Sequence, residues 1–234
     1  MENIIETKQI ISDSKNIYLI TSQAPEAITS TLALFYTLKD LGKNVNLLID
    51  ILPENLKFLA PSLDFISYPK NFVISVPNSV ANVSQIYYEK NDDGLKIHLT
   101  LENGNIKKDN ISFYFAEAKP DLIITVGIKD YQKELAEKLN SFGFLLDSPI
   151  VDIDNSQDNK KFGKINLLGK NSLSEIISGL TENIKKEPAI CLLAGLVIYT
   201  ENFKSKLTAE IFQTASDLMK KGADLQEIVK NIYK

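Results

Sequence analysis

The hydrophobic positions in the first fifty residues change from a strand pattern to a helix pattern and back. Residues 16–21 (NIYLIT) and 45–50 (VNLLID) are short, nearly continuous apolar runs, which are typical of strands buried on both faces of a parallel sheet. Between them, an apolar face at helical spacing ends at Gly42; it consists of Leu32, Leu34, Phe35, Leu38 and Leu41. The pattern predicts a right-handed strand–helix–strand unit, preceded by a helix over residues 3–14.

The same strand pattern returns in the second half of the chain. Residues 121–127 (DLIITVG) and 149–154 (PIVDID) are apolar runs of strand length, and residues 130–142 between them are predicted to be helical. Further helices are predicted over 172–185, 189–199, 207–221 and 224–232. Ser172 with Glu175 forms a capping-box pattern, and Thr208 can start another helix. This order predicts an α/β fold with a doubly wound, mostly parallel sheet and a helical C-terminal part.

The segment from about residue 71 to 115 has a different texture. It contains four short runs rich in β-branched and aromatic residues, at 71–76, 86–90, 95–101 and 111–115. The turn sequences NDDG and ENGN separate some of these runs, so a β-hairpin insertion is predicted within a single α/β domain covering residues 1–234. The only histidine, His98, alternates with apolar neighbours on one run, and we expect it to face solvent.

Composition narrows the possible functions. All 26 cationic side chains are lysine and the formal net charge is −4, so binding of nucleotides or nucleic acids is disfavoured, because arginine supplies the planar fork that grips phosphate. Cys191 is the only cysteine, so an internal disulfide is ruled out. It lies in an apolar run and is predicted to be buried. That run, residues 190–200, is about half the length of a membrane span. We therefore expect a cytoplasmic protein with no membrane segment.

Three short segments follow predicted strands and a fourth ends a predicted helix, and their order along the chain points to a known superfamily. The loop after the first strand reads Gln23-Ala24-Pro25-Glu26-Ala27, and the run at 121–127 ends in Gly127. Residues 154–163 read DNSQDNKKFG, and residues 195–200 read GLVIYT with Phe203 beyond them. Together these segments resemble the landmarks of the DHH phosphoesterase superfamily, which includes RecJ-like and oligoribonuclease-like proteins. The resemblance extends over nearly the whole chain.

The resemblance implies the fold of that superfamily without its metal chemistry. Active relatives hold two divalent cations, usually manganese, with carboxylates and imidazoles at strand ends. Here neutral or missing side chains stand at five of those positions: Gln23, Gly127, Asn155, Ser156 and Tyr199. Only Glu26 and Asp154 keep a carboxylate there. We therefore expect a non-catalytic pseudoenzyme without a metal cofactor, and without the smaller DHHA1-type substrate-binding domain of its relatives.

Two alternatives stay open. The first is an active manganese- or magnesium-dependent phosphodiesterase or nuclease with a reduced site built from Glu26, Asp50, Asp152, Asp154 and Asp158. The acidic residues Asp147, Asp152, Asp154 and Asp158 could coordinate a hard cation. Against this, Asp152 and Asp154 lie two apart on one strand, and they are interpreted as lining a solvent-facing strand end. The second alternative is a nucleotide-sensing or protein-interaction module. Partners are expected to be another protein or a second copy of the chain in a homodimer.

Overall fold

The computed structural model describes residues 2–49, 51–59, 70–117, 119–135 and 148–234. The chain divides into two compact units. The second unit comprises residues 70–118, and the first comprises everything before and after it.

The strands of the described residues, in chain order, are β1 (Asn16–Thr21), β2 (Asn44–Leu48), β3 (Lys70–Ser75), β4 (Ala81–Asn91), β5 (Gly94–Gly104), β6 (Ser112–Glu117), β7 (Leu122–Val126), β8 (Ile150–Asp154) and β9 (Ile165–Leu168). The α-helices are α1 (Glu2–Asp13), α2 (Pro25–Asp40), α3 (Tyr131–Glu134), α4 (Leu173–Leu180), α5 (Lys186–Tyr199), α6 (Ala209–Lys220) and α7 (Leu225–Ile232). Short 3₁₀ helices cover Glu54–Leu59 and Lys108–Asn110.

The first unit contains a five-stranded parallel sheet with the order β2-β1-β7-β8-β9. The chain leaves β1 through α2 toward one edge of the sheet and proceeds from β7 through β8 and β9 toward the other. The strand order therefore reverses between β1 and β7, and a crevice at the carboxyl ends of the strands is expected at such a switch point. The predicted α/β fold with a mostly parallel sheet is confirmed.

Helices α2, α4 and α5 pack closely on one another, and α2 and α4 also contact strands of this sheet. Nearly every residue of α5 from Pro188 to Val197 is buried, as is most of α2. A Cβ at Gly195 of α5 would lie 2.8 Å from Thr29 Oγ1 and in collision with Ser174 Oγ, so only glycine permits this approach of α2, α4 and α5. Ser30 and Ser174 share a hydrogen bond of 3.2 Å at the same contact.

Most predicted elements of this unit agree with the structure, and the differences have local causes. The helix predicted over 172–185 ends at Leu180, and Leu41, predicted on an apolar face, is 62% exposed because α2 ends before it. Strand β9 was not predicted, since its four residues are too few to show a period. Of the helix predicted at 130–142, residues 130–135 are described, and Tyr131–Glu134 are helical. Cys191 is buried, as predicted.

The second unit consists of two antiparallel pairs, β3 with β6 and β4 with β5. The predicted NDDG turn connects β4 to β5, where Asn91 Oδ1 accepts the Gly94 N–H at 3.1 Å. The predicted ENGN turn is wrong, because its first three residues continue β5 as far as Gly104. His98 is only partly exposed, since its ring stacks on that of Tyr87 with centroids 4.4 Å apart.

Among the described residues, the helices are all too short or too polar to cross a bilayer.

Candidate functional site

The candidate site lies where the loops after β1, β7 and β8 leave the sheet. The Ser22 N–H donates to Val126 O at 3.1 Å, and the Gly127 N–H donates to Ile153 O at 2.9 Å. These bonds continue the parallel ladder one residue beyond the strands. The loop residues of the three strands are thereby brought to the same edge, at the switch point of the sheet.

Glu26 connects two helices across this edge. It lies in the first turn of α2, and its Oε1 accepts the N–H of Leu173, the first residue of α4, at 2.6 Å. Its Oε2 accepts a longer bond of 3.5 Å from Asn155 Nδ2. A carboxylate at a helix N-terminus satisfies an N–H group that has no partner within the helix. The carboxylate is thus bound to the protein through both oxygens.

Burial raises the pKa of the Glu26 carboxyl above its ordinary value. The hydrogen bonds from Leu173 and Asn155 and the charge of Lys206 lower this pKa, while the charge of Asp154 raises it. The direction of the net shift means that loss of hydration outweighs the local donors.

Tyr199 and Lys206 complete the surroundings of Glu26. Tyr199 is the last residue of α5, and burial raises the pKa of its hydroxyl, with the charges of Glu26 and Glu175 acting in the same direction. The Nζ of Lys206 lies 4.4 Å from the centroid of the Tyr199 ring, a cation–π distance. The residues Glu26, Asn155, Leu173, Tyr199 and Lys206 are called the Glu26 network below.

A strained turn carries Lys206 to this position. Glu201, Asn202 and Phe203 have φ values of 51°, 59° and 56°, so three consecutive non-glycine residues are left-handed. The buried Thr200 holds the turn, because its hydroxyl accepts the Phe203 N–H at 3.0 Å and its carbonyl accepts the Lys204 N–H at 2.9 Å. Such backbone persists only where its surroundings fix it, as they do here.

Asp154 organises the loop after β8. Its Oδ1 accepts the Asn155 N–H at 2.8 Å, and its Oδ2 accepts Asn159 Nδ2 at 3.0 Å. Asn159 Nδ2 also donates to Ile128 O at 3.0 Å, so the amide joins the loops after β7 and β8. Further along the loop, Ser156 Oγ accepts the Asp158 N–H at 3.2 Å. Asp154 is 2% exposed, and both of its carboxylate oxygens accept hydrogen bonds from the protein.

Asp152 is enclosed more completely than Asp154. It is 0% exposed; its Oδ1 accepts the Thr125 hydroxyl at 3.1 Å, and its Oδ2 has no hydrogen-bond partner. Burial raises the pKa of Asp152 to about 6, and the charges of Asp154 and Glu134 act in the same direction. The prediction that Asp152 and Asp154 line a solvent-facing strand end is wrong for both residues, because the loops after β7 and β8 cover this side of the sheet.

Gly127 stands where the resemblance places a metal-binding aspartate, and it leaves no room for one. Its φ is +69°, and a Cβ there would lie 2.8 Å from Ala27 Cβ and 2.9 Å from Ser22 Oγ. Both the backbone conformation and the packing therefore require glycine. Ser22 and Ala27 occupy the space that a coordinating side chain at this position would need.

These residues do not fit a pair of divalent cations. Within the described residues, no three acidic, histidine or cysteine side chains come together in a way that could hold a metal ion. Asn155 and Ser156 supply neutral groups, Gln23 is exposed, and both carboxylates of the cleft are bound to protein donors. Of the remaining residues of the reduced site, Asp158 is exposed on its loop, while Asp50, like Asp147, lies outside the described residues.

Sequence reasoning missed Lys206, Asn159, Thr125 and the backbone N–H of Leu173. The capping box at Ser172 and Glu175 correctly marks the start of α4, with Ser172 Oγ accepting the Glu175 N–H at 3.2 Å. Nothing in that motif indicates that Glu26, 147 residues away, binds the same helix start. Lys206 gave no signal at all, because one lysine among many has no distinguishing spacing.

Comparison with known proteins identifies the architecture. An exopolyphosphatase-related protein from Bacteroides fragilis superposes with a TM-score of 0.67 at 18% sequence identity, over 99% of this chain and 60% of that one. The chain has a DHH-type fold. RecJ from Thermus thermophilus, in complex with Mn²⁺, gives a TM-score of 0.41 at 11% identity, over 99% of this chain and 36% of that one.

The exopolyphosphatase-related protein shares the architecture of this chain, so the fold implied by the sequence landmarks is confirmed. The chain spans only 60% of the length of the exopolyphosphatase-related protein. No family model and no curated protein matches the sequence.

Proposed function

We propose that this DHH-type chain is a non-catalytic protein that uses its fold for binding or for a structural role. The observation that carries the proposal is the Glu26 network. The Glu26 carboxylate, in the first turn of α2, accepts the Leu173 N–H at the N-terminus of α4 at 2.6 Å, and its second oxygen faces Asn155. In this arrangement the carboxylate ties α2 to α4, which is a structural task.

A two-metal clamp needs several anionic ligands whose oxygens converge on the cations. In this cleft the second carboxylate, Asp154, binds the Asn155 N–H and the Asn159 amide. Gly127 cannot be replaced by a ligand without a collision with Ala27 and Ser22. Restoring catalysis would therefore require new backbone geometry as well as new side chains.

The test is a manganese-dependent hydrolysis assay with short oligonucleotides, cyclic dinucleotides and a generic phosphodiester. We expect no turnover above that of the buffer. Glu26→Ala and Asp154→Ala are compared with Glu227→Gln, a control in which an exposed carboxylate outside the reduced site is removed. Turnover that disappears in the first two variants and persists in the control would refute the proposal and favour the reduced metal site.

A nucleotide-sensing role is a second candidate, and Lys206 is the observation that favours it. This exposed cation lies near the Glu26 carboxylate, at the edge where ligands bind in doubly wound folds. A ligand specific for the native state raises its apparent stability. Thermal unfolding with a panel of nucleotides should then show an increase that is lost in Lys206→Gln and kept in Lys204→Gln.

A further inference from the structure

The β4–β5 hairpin, called the ribbon here, has one apolar and one polar face. The antiparallel register places residues two apart on the same side of the ribbon. The apolar face carries the cross-strand pairs Ile86–Leu99 and Tyr88–Ile97, with Leu95 beside Lys90 near the tip. The polar face carries the pairs Gln85–Thr100, Tyr87–His98 and Glu89–Lys96.

The side chains of the polar face contact one another within the ribbon, although His98 Nε2 is buried without a hydrogen-bond partner. The rings of Tyr87 and His98 stack with a 2° angle between their planes, and His98 Nε2 lies 3.8 Å from Glu89 Oε1. Glu89 also lies directly across from Lys96, an opposite-charge pair of the kind that stabilises antiparallel strands. Most side chains of this face therefore have contacts within the ribbon.

The apolar face is open to solvent. Ile86 is 70% exposed, Tyr88 72%, Leu95 61% and Ile97 47%. An isolated two-stranded ribbon is at best marginally stable in water, and it gains stability when its apolar face is covered. Four large apolar side chains together on one short face therefore indicate a binding surface rather than scattered surface residues.

We propose that a second copy of this chain covers the face, so that two ribbons pack apolar side to apolar side about a two-fold axis. Lys90 near the tip is the only charged side chain on this face of the ribbon. The face therefore has little charge with which to select a charged partner. An identical face on a second copy is equally apolar and can cover it without unpaired charges. Two-fold packing is also closed, and it leaves neither apolar face free to recruit a third chain.

The available area fits a reversible dimer. At roughly 200 Å² for a fully exposed large apolar side chain, the four exposed residues offer about 500 Å² per copy. Two copies would then bury about 1,000 Å², near the lower limit for a specific interface. The contact should accordingly be concentration-dependent rather than permanent.

The primary test measures the mass of the full chain by sedimentation over a wide range of concentrations. We expect a monomer–dimer equilibrium. Ile86→Glu with Ile97→Glu should weaken it at least about tenfold, since like charges would meet at the centre of the interface. The control, Gln85→Glu with Thr100→Glu, adds the same charge to the polar face of the same two strands and should leave the equilibrium nearly unchanged.

A chain that stays monomeric throughout, or an equal effect of both double variants, would overturn the proposal. Since Ile86 and Ile97 are exposed, glutamate there should leave the thermal unfolding and the circular dichroism unchanged. Both are measured on every variant, so a folding defect can be recognised.

Cysteine cross-linking provides a second, independent measurement. The native Cys191 is buried, and burial raises the pKa of its thiol, so it does not compete for oxidation. Under mild oxidation, Ile86→Cys or Ile97→Cys should give disulfide-linked dimers, whereas Gln85→Cys and Thr100→Cys should not. Equal cross-linking from both faces would contradict packing through the apolar face.

Discussion

The cleft at the carboxyl ends of the strands and the face of the ribbon present opposite situations. In the cleft, the polar groups that could meet a ligand are bound to one another, as Glu26 is to Leu173 and Asp154 is to Asn159. On the ribbon, most of the polar face is paired internally, while the apolar face is exposed to solvent. Polar groups that are bound within the protein are not free to bind a ligand, whereas exposed apolar side chains gain stability when they are covered.

The largest effect is expected from removing the glycine that closes the cleft. Gly127→Ala should lower the free energy of unfolding by about 3–5 kcal/mol, because a left-handed alanine is strained and its Cβ would collide with Ala27 and Ser22. Denaturant unfolding measures the loss. Gly179→Ala is the matched control, because its Cβ meets nothing within 4 Å, and this helical substitution should stabilise by about 0.5–1 kcal/mol. Equal effects of the two changes would show that the cleft is not tightly closed.

The next largest effect concerns the buried carboxyl of Asp152. Its pKa is raised from 3.8 to about 6 in the folded state, so folding takes up a proton between these values. Its contribution to stability is therefore complete below about pH 4 and is lost as the pH rises to about 6. Asp152→Asn cannot ionise and should be more stable than the wild type at pH 7, by up to about 3 kcal/mol.

Unfolding curves between pH 4 and 8 check this prediction. The advantage of Asp152→Asn should grow across the window from pH 4 to 6 and then stay constant. The pKa of Glu26 is raised as well, so the stability of the variant still falls with rising pH. A curve for Asp152→Asn that runs parallel to that of the wild type would refute the assignment.

A smaller effect distinguishes hydrogen bonding from charge in the Glu26 network. Glu26→Ala should cost about 1–2 kcal/mol, because the Leu173 N–H loses its acceptor. Glu26→Gln should remain within about 1 kcal/mol of the wild type, since its amide oxygen can still accept that bond and the burial of a charge is avoided. Chemical denaturation at pH 7 compares the two. Equal losses would mean that the charge itself holds α2 to α4.

The smallest effect is electrostatic. Lys206 lowers the pKa of Glu26, so Lys206→Gln should raise that pKa further. An NMR titration of the Glu26 carboxyl carbon measures the shift. Lys204→Gln is the control in the same turn, and it should leave the titration unchanged. A shift of equal size in both variants would place the effect in the turn as a whole rather than at Lys206.

The sheet was largely predictable because its strands are continuous apolar runs, as in β1, β7 and β8. Strand β9 was not, because its four residues, INLL, carry no periodic signal of their own. The loops that meet at the cleft could be predicted from the order of the sequence segments along the chain. The burial of the acidic side chains could not, since Asp152 is covered by the loops after β7 and β8, whose course the strand pattern does not give.

The network around Glu26 was beyond sequence reasoning for a related reason. Its contacts join residues up to 147 positions apart, and one donor is a backbone N–H, which every residue except proline has. The ribbon, in contrast, could be predicted mostly from the local sequence pattern. Its strands and one turn followed from the local pattern, whereas the second turn did not, because Asn103 pairs with Asn82 instead of turning.

The first helix has a consequence for the edge of the sheet. Helix α1 packs beside β9, the last strand of the sheet, and Asn3 Nδ2 donates to Asn166 O at 3.0 Å. The amide side chain thus occupies a main-chain acceptor on the outermost strand, where unpaired groups invite intermolecular strand addition. A variant that lacks the Asn3 side chain, such as Asn3→Ala, would uncover that acceptor at the edge of the sheet.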